Sequence, residues 1–266
     1  MDRSGQPLRI VQITDPHLCK EPDGTLLGMN TQQSLDAVLD LVRENHPDPD
    51  VVLATGDIAQ DGSVEAYRLF EEKMGFFRCP VFWFAGNHDS WPEMNQVIAG
   101  KQAAEREFRA RGWHLIFLDS AVPGKVHGFL PGKELDLLDR ALKAQPDEHS
   151  LVCFHHHPID IHCDWLNPIG VRNADAFFAV LDRHPNVRGV LWGHIHQELD
   201  EDRQGVRMLA SPSTCVQFEP RSSDFSVGRQ APGYRWLELY PDGRIETGVV
   251  RASHIDFEVD YASRGY

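Results

Sequence analysis

Apolar positions along this chain alternate between two periods. A strand-like run at 8–14 gives way to a stretch at 30–45 in which Leu35, Val38, Leu39 and Val42 fall at helical spacing. Thr31 is the expected N-cap of that helix. Positions 51–54 are apolar without a break, which predicts a strand covered on both faces. A helix over 63–75, closed by Gly75, and a third strand over 81–84 follow. Helices between buried strands imply parallel pairing with right-handed crossovers.

The second half is more mixed. Strands are predicted over 114–119, 151–154 and 187–192, and helices over 132–144 and 174–184, the first with Leu135, Leu138 and Leu142 on one face. From about 206 the pattern turns to short β segments at 206–210, 234–240 and 244–250, the last two joined by Pro241-Asp242-Gly243. Residues 222–233 read as a loop. No repeat or linker interrupts the series. The expectation is an α/β fold, a four-layer α-β-β-α sandwich with two packed mixed sheets. It forms one domain over 1–266, with the C-terminal third supplying mainly β segments of the second sheet.

Composition narrows the setting. With 41% hydrophobic residues in 266, the chain can bury a substantial core. No apolar run approaches the roughly 18 residues a membrane span needs, and the N-terminus leads straight into a strand, so neither membrane anchor nor signal peptide is expected. The five cysteines include no Cys-x-x-Cys pair and are odd in number, which fits reduced thiols and a cytoplasmic setting. A net charge of −14 argues against a general nucleic-acid binder. It leaves an anionic small molecule open, because bound divalent cations can reverse the local field.

Chemistry gathers at the ends of the predicted strands. Asp15-Pro16-His17 follows the first and Gly56-Asp57 the second. Gly86-Asn87-His88-Asp89 follows the third, and His155-His156-His157-Pro158 and Gly193-His194-Ile195-His196 follow two later ones. Parallel strands deliver their C-terminal ends to one edge, where ligands of open α/β folds bind. Carboxylate, imidazole and amide oxygen donors suit Mn, Fe or Zn. The other histidines, His46, His114, His149, His184 and His254, are expected to be ordinary surface or partly buried residues, whereas loop residues His127 and His162 are placed nearer the cleft. Cys19 is expected to be a packed thiol. Asp200, Glu201 and Asp202 read as a solvated turn.

In this order the motifs resemble those of the calcineurin-like metallophosphoesterases: Asp-x-His, Gly-Asp, Gly-Asn-His-Asp, a histidine before a proline-containing loop, and Gly-His-x-His. The resemblance implies the metallophosphoesterase fold and two divalent ions, Fe or Mn or both, with Zn as an alternative. It assigns Asp15, His17, Asp57 and His196 to one ion, and Asn87, His156 and His194 to the other, with Asp57 bridging. It implies a hydroxide between the ions as nucleophile, and substrate contact by His17, Asp57, Asn87, His88 and His196. His88 would serve as proton donor, oriented by Asp89. Within the histidine triplet the family pattern sets the ligand two residues before the proline. That selects His156, with His155 as competitor. On an extended chain the two would face opposite ways.

The flanks narrow the resemblance. Gln12 to Asp15, Leu27 to Thr31, Ala54 to Asp61, Gly193 to Asp200, Pro212 to Phe218 and the tail Ala262 to Tyr266 are similar to the bacterial class III 3′,5′-cyclic AMP phosphodiesterases of that superfamily. The similarity implies hydrolysis of 3′,5′-cyclic AMP to 5′-AMP, with a cyclic nucleotide as the small-molecule partner. Residues 212–218, small and polar with an aromatic near a predicted strand end, read either as a nucleoside-contacting loop or as a structural edge. A broad-specificity phosphodiesterase, a repair-type exonuclease and a non-catalytic scaffold on the same fold are the rival readings. The scaffold would be expected to have lost ligands that are present here.

Overall fold

The computed structural model describes residues 5–265. The strands that position the chemistry are β1 (Leu8–Ile13), β2 (Val51–Ala54) and β3 (Val81–Trp83), separated by the helices α1 (Thr31–Asn45) and α2 (Val64–Met74). Helix α3 (Trp91–Ile98) leads to β4 (Glu107–Ala110) and β5 (Trp113–Phe117). Then come α4 (Gly132–Ala144), β6 (His149–Cys153), α5 (Ala174–Leu181) and β7 (Val187–Trp192). The chain ends in β8 (Leu199–Arg203), β9 (Val206–Ala210), β10 (Gly233–Leu239) and β11 (Ile245–Arg251).

Two sheets result. One has the order β11-β10-β1-β2-β3 and the other β8-β9-β7-β6-β5-β4. In each the central pairs are parallel: β1 with β2 and β2 with β3, then β9 with β7, β7 with β6 and β6 with β5. Antiparallel strands close the edges. The chain therefore forms the expected α-β-β-α sandwich of mixed sheets.

Strand periodicity decides which side chains meet. Leu8 and Ile10 of β1, Leu53 of β2 and Phe82 of β3 join Trp113, Leu115, Leu151 and Leu191 between the sheets. The alternate residues Val11, Ile13, Val52 and Ala54 face outward onto α1 and α2, meeting Leu35, Val38, Leu39, Val42, Tyr67 and Phe70. Leu138 and Leu142 of α4 and Phe177 of α5 cover the far face of the second sheet. Each fully buried side chain of this size is worth about 1.5–3 kcal/mol.

Three expectations need correction. The C-terminal third does not build mainly the second sheet: β9 does join it, but β10 and β11 extend the first, with Leu8 opposite Leu239. Strand β1 has one edge free beside β2, and β10 fills it, carrying Leu237 and Leu239 into the layer between the sheets. Helix α1 is capped by Asn30, not Thr31; the Asn30 side chain accepts from the Gln33 amide at 2.8 Å. Asp200, Glu201 and Asp202 lie in strand β8 and not in a turn, with Arg207 on the paired strand bound to Asp200.

Candidate metal centre

The C-terminal ends of β1, β2, β3, β6 and β7 converge, and the motif residues follow directly after them. Main-chain bonds fix the loops to one another: Asp15 N–H donates to Gly56 O at 3.1 Å, His17 N–H to Asp57 O at 3.0 Å, and Gly193 N–H to His155 O at 3.1 Å. Close approach leaves no room for a Cβ. One built on Gly86 would lie 2.1 Å from Asp57 Oδ1, and one on Gly193 2.1 Å from Thr14 Oγ1. Asp15, His17, Asp57, His194 and His196 all hold positive φ, between 47° and 66°. A non-glycine residue there costs about 1–3 kcal/mol, and such strain gathers at functional sites.

The side chains form a continuous buried cluster. Asp15, His17 and His196 bring one ligand atom each within 4.8 Å of the others, and so do His155, His156 and His194. Asp15, Asp57 and His155 form a third such group, joining the first two, while His17, Asp57 and His88 form a fourth. His17 Nε2 lies 3.1 Å from His196 Nε2. Asn87 is at the same edge, its Oδ1 buried without a hydrogen-bond donor.

Each imidazole is tethered by its other nitrogen. His17 Nδ1 lies 2.6 Å from Gln60 Oε1, His196 Nδ1 2.9 Å from Val216 O, His155 Nδ1 2.8 Å from Thr55 O, and His194 Nε2 3.2 Å from Ile169 O. These oxygens only accept, so the tethered nitrogens carry protons; the other nitrogens of His17, His194 and His196 are left for a ligand, while His155 Nε2 faces Asp57. His156 Nδ1 meets Ser120 Oγ at 2.8 Å, leaving its Nε2 buried without a hydrogen-bond partner. Tethered imidazoles with inward lone pairs are the arrangement metal ions require. Ring contacts add support, since Phe218 stacks on His196 at 4.3 Å between centroids.

Electrostatics point the same way. Burial pushes His17 down to about 3, and burial together with neighbouring His155 holds His156 far below its ordinary value. Burial likewise lowers His194, with His156 and His155 adding to it. Burial alone would raise Asp57, yet His155, His88 and His17 around it hold it well below the carboxylate range. Asp15 is lowered despite its burial by His196 and His155. Neutral imidazoles and ionised carboxylates are the forms that bind metal.

The triplet departs from simple alternation. Strand β6 ends at Cys153, the chain bends at His155 and His156, and both residues reach the centre. His155 Nε2 lies 3.2 Å from Asp57 Oδ2, and its ring is raised to about 9: burial opposes the charge, but Asp57 and Asp15 outweigh it. Asp89 also differs from expectation. Its two oxygens accept from the amides of Ile58 at 3.2 Å, Ala59 at 3.0 Å and Gly86 at 2.8 Å, and from Tyr67 Oη at 3.0 Å. A carboxylate offers about four acceptor positions, and these four bonds make Asp89 a clamp between the two loops.

Residues 211–218 are buried, with Ser213 Oγ bonded to Asp15 O and Val216 O to His196. They brace the centre, and Val216 and Gln217 also border a separate cavity of about 400 Å³. His162 is exposed and His127 bonds its neighbour's carbonyl, both apart from the four ligand groups. Thr14, Gln60, Ser120 and Val216 are contributors that the motifs did not disclose. A cavity of about 810 Å³ opens beside Asn87 and His88. A slightly larger hollow of about 890 Å³ around Arg9 and Asp50 lies at the opposite strand ends, away from the cluster.

Residues 8–198 match the family described as calcineurin-like phosphoesterase. The chain belongs to this family. It is 48% identical over 257 residues to the 3′,5′-cyclic adenosine monophosphate phosphodiesterase CpdA of Pseudomonas aeruginosa, covering 97% of this chain and 94% of that one. It is 45% identical over 261 residues to the protein of the same description in Escherichia coli K12, covering 97% and 95%. Among solved structures, a dimetal phosphatase from Danio rerio superposes with a TM-score of 0.64 at 19% identity, covering 93% of this chain and 100% of that one. That last likeness bears on the fold alone.

Proposed function

We propose that the protein hydrolyses 3′,5′-cyclic AMP to 5′-AMP at a dinuclear metal centre. The carrying observation is the tethered cluster itself: His17, His155, His156, His194 and His196 gathered with Asp15 and Asp57 in overlapping groups whose ligand atoms lie within 4.8 Å of one another. The substrate comes from the near-full-length likeness to two relatives named as cyclic AMP phosphodiesterases.

Asp15, His17, Asp57 and His196 would hold one ion; Asn87, His156 and His194, with Asp57 shared, would hold the other. Fe or Mn suits this donor set, and Zn is also compatible. When bound, such ions relieve charge on phosphoryl oxygens and make water more acidic. The remaining work falls to the chain. Asp57 Oδ1 accepts the His88 amide at 2.8 Å, which fixes the loop carrying the imidazole at the cavity mouth. From there His88 donates a proton to the ribose 3′ oxygen as the 3′ P–O bond breaks and water oxygen joins phosphorus. His155, spanning Asp57 and Thr55, orients the shared carboxylate. Among the described residues no helix is long and apolar enough to cross a membrane, and the five cysteines are free thiols, which fits a reducing cytoplasm.

Steady-state kinetics on metal-stripped protein, restored with Mn or Fe, tests the reading. Metal-dependent formation of 5′-AMP, with 3′,5′-cyclic AMP favoured over 2′,3′-cyclic AMP and bis-nitrophenyl phosphate, is expected. Robust cleavage of the synthetic diester with slow, unselective cyclic AMP turnover would leave a broad phosphodiesterase instead.

A further inference from the structure

The cavity beside Asn87 and His88 is unlike the rest of the site. It is built from residues 85–92 and 119–133, and its walls carry Trp91, Pro92, Val122, Pro123 and Phe129. Trp91 is 48% exposed and Phe129 42%, two of the few large apolar side chains left open to water among the described residues. Leaving a tryptophan half in water forfeits much of its burial energy, so an exposed aromatic pair beside a polar reaction centre asks for an occupant.

We propose that this cleft takes the nucleobase of the cyclic nucleotide, with Trp91 as its stacking platform and Phe129 a second apolar wall. The inference rests on the cyclic nucleotide reading and specifies where the base goes. Its volume of about 810 Å³ lies within the range of small-molecule pockets, roughly 300–1,000 Å³. Its lining includes Asn87 and His88, and none of the other four cavities is lined by a proposed metal ligand, so this is the cleft a phosphate at the metal centre opens onto.

Both walls are held to the chemistry by short paths. Trp91 stands three residues after His88. Its neighbour Ser90 donates its amide to Tyr67 Oη at 2.8 Å, and Tyr67 in turn bonds Asp89. Phe129 donates its amide to Ser120 O at 3.0 Å, and the same serine's hydroxyl meets His156. Gly128 passes so close to His156 that a Cβ would lie 2.6 Å from its ring. A base seated here is thus indexed to the metal ligands by rigid chain, which sets which phosphorus–oxygen bond faces His88.

Base–aromatic stacking is worth about 1–3 kcal/mol, sequence-tolerant because every base has a π face. The slot would therefore hold either purine and confer a general preference for nucleotides over base-free diesters. The test compares 3′,5′-cyclic AMP with ribose 3′,5′-cyclic phosphate lacking the base, on wild type, Trp91→Ala, Trp91→Phe and Phe129→Ala. Trp91→Ala is expected to raise KM for cyclic AMP about tenfold or more, with a much smaller change on the base-free substrate. Trp91→Phe should recover most of the loss. Phe129→Ala, which leaves the Trp91 backbone untouched, should shift KM in the same direction. Equal losses on the two substrates, or none on either, overturn the platform while leaving the phosphodiesterase reading in place. A wild type without cyclic AMP turnover removes that reading and the subsite with it.

Discussion

His17 Nε2 and His196 Nε2 face each other across 3.1 Å, both rings fully buried. With the two Nδ1 atoms tethered to Gln60 Oε1 and Val216 O, the rings turn their Nε2 atoms on one another, an arrangement that a cation between them suits. The Gln60 contact is the one of the two that mutation can reach. Gln60→Leu removes the acceptor, frees the His17 tautomer and should weaken metal binding by about 10–100-fold. Gln60→Glu keeps an acceptor and should bind near wild-type strength. Competition titration of Mn against a chelator measures both; equal affinity in all three proteins would deny the tether any role.

His155 and His156 both reach the centre, but with different partners. Both Nε2 atoms are buried without a hydrogen bond, but His155 Nε2 pairs with Asp57 Oδ2 at 3.2 Å while His156 Nε2 has no such carboxylate partner. If His156 is the ligand and His155 the orienting group, His156→Ala should purify with one ion per chain. His155→Ala should retain two ions with impaired turnover. Elemental analysis of the purified variants decides, and the reverse pattern would exchange the two roles.

The metal donors were legible because a strand must end where its ligand begins. Buried runs such as Val51 to Ala54 announce the strand, and Gly56-Asp57 follows directly. Their supports were not legible. Gln60, Ser120 and Tyr67 act through contacts set by tertiary approach, and Val216 and Thr55 through backbone carbonyls that carry no residue identity. The strands β4 and β8 escaped for a related reason: β8 is polar after Leu199, and in β4 the alternation of Phe108 and Ala110 with Glu107 and Arg109 lasts only four residues. The fate of the C-terminal strands depended on which edge stayed open, and β1 offered its edge to β10 across more than 220 residues of chain.

His88 belongs to the same loop as Asn87, yet its proposed work is with the leaving oxygen. Its ring meets His17 edge-on at 5.0 Å between centroids, close enough for the two roles to be confused. His88→Ala should keep two ions per chain and lose about 10²–10⁴-fold in turnover, the ordinary scale of a general acid. Substrates with a good leaving group, such as bis-nitrophenyl phosphate, need less protonation and should suffer less. Loss of an ion with the side chain would place His88 among the ligands instead.

Asp89 gives a prediction about folding more than about catalysis. Its carboxylate gathers the amides of Ile58, Ala59 and Gly86 and the hydroxyl of Tyr67, so it clamps the loop after β2 to the loop after β3. Asp89→Asn preserves size but turns one acceptor into a donor. At least one of the four donors then faces an N–H, at about 1–3 kcal/mol for each group left unsatisfied. Tyr67→Phe removes one donor from Asp89 and also the acceptor of the Ser90 amide, which is partly exposed and can turn to water, so it should cost less, about 1 kcal/mol. Urea unfolding of the metal-free proteins should show a lower midpoint for Asp89→Asn than for Tyr67→Phe, at unchanged slope. Because Gly86 and Asp57 are held by the same clamp, the Asp89 variant should also bind metal more weakly. A variant as stable as wild type but without turnover would return Asp89 to a part in the proton transfer.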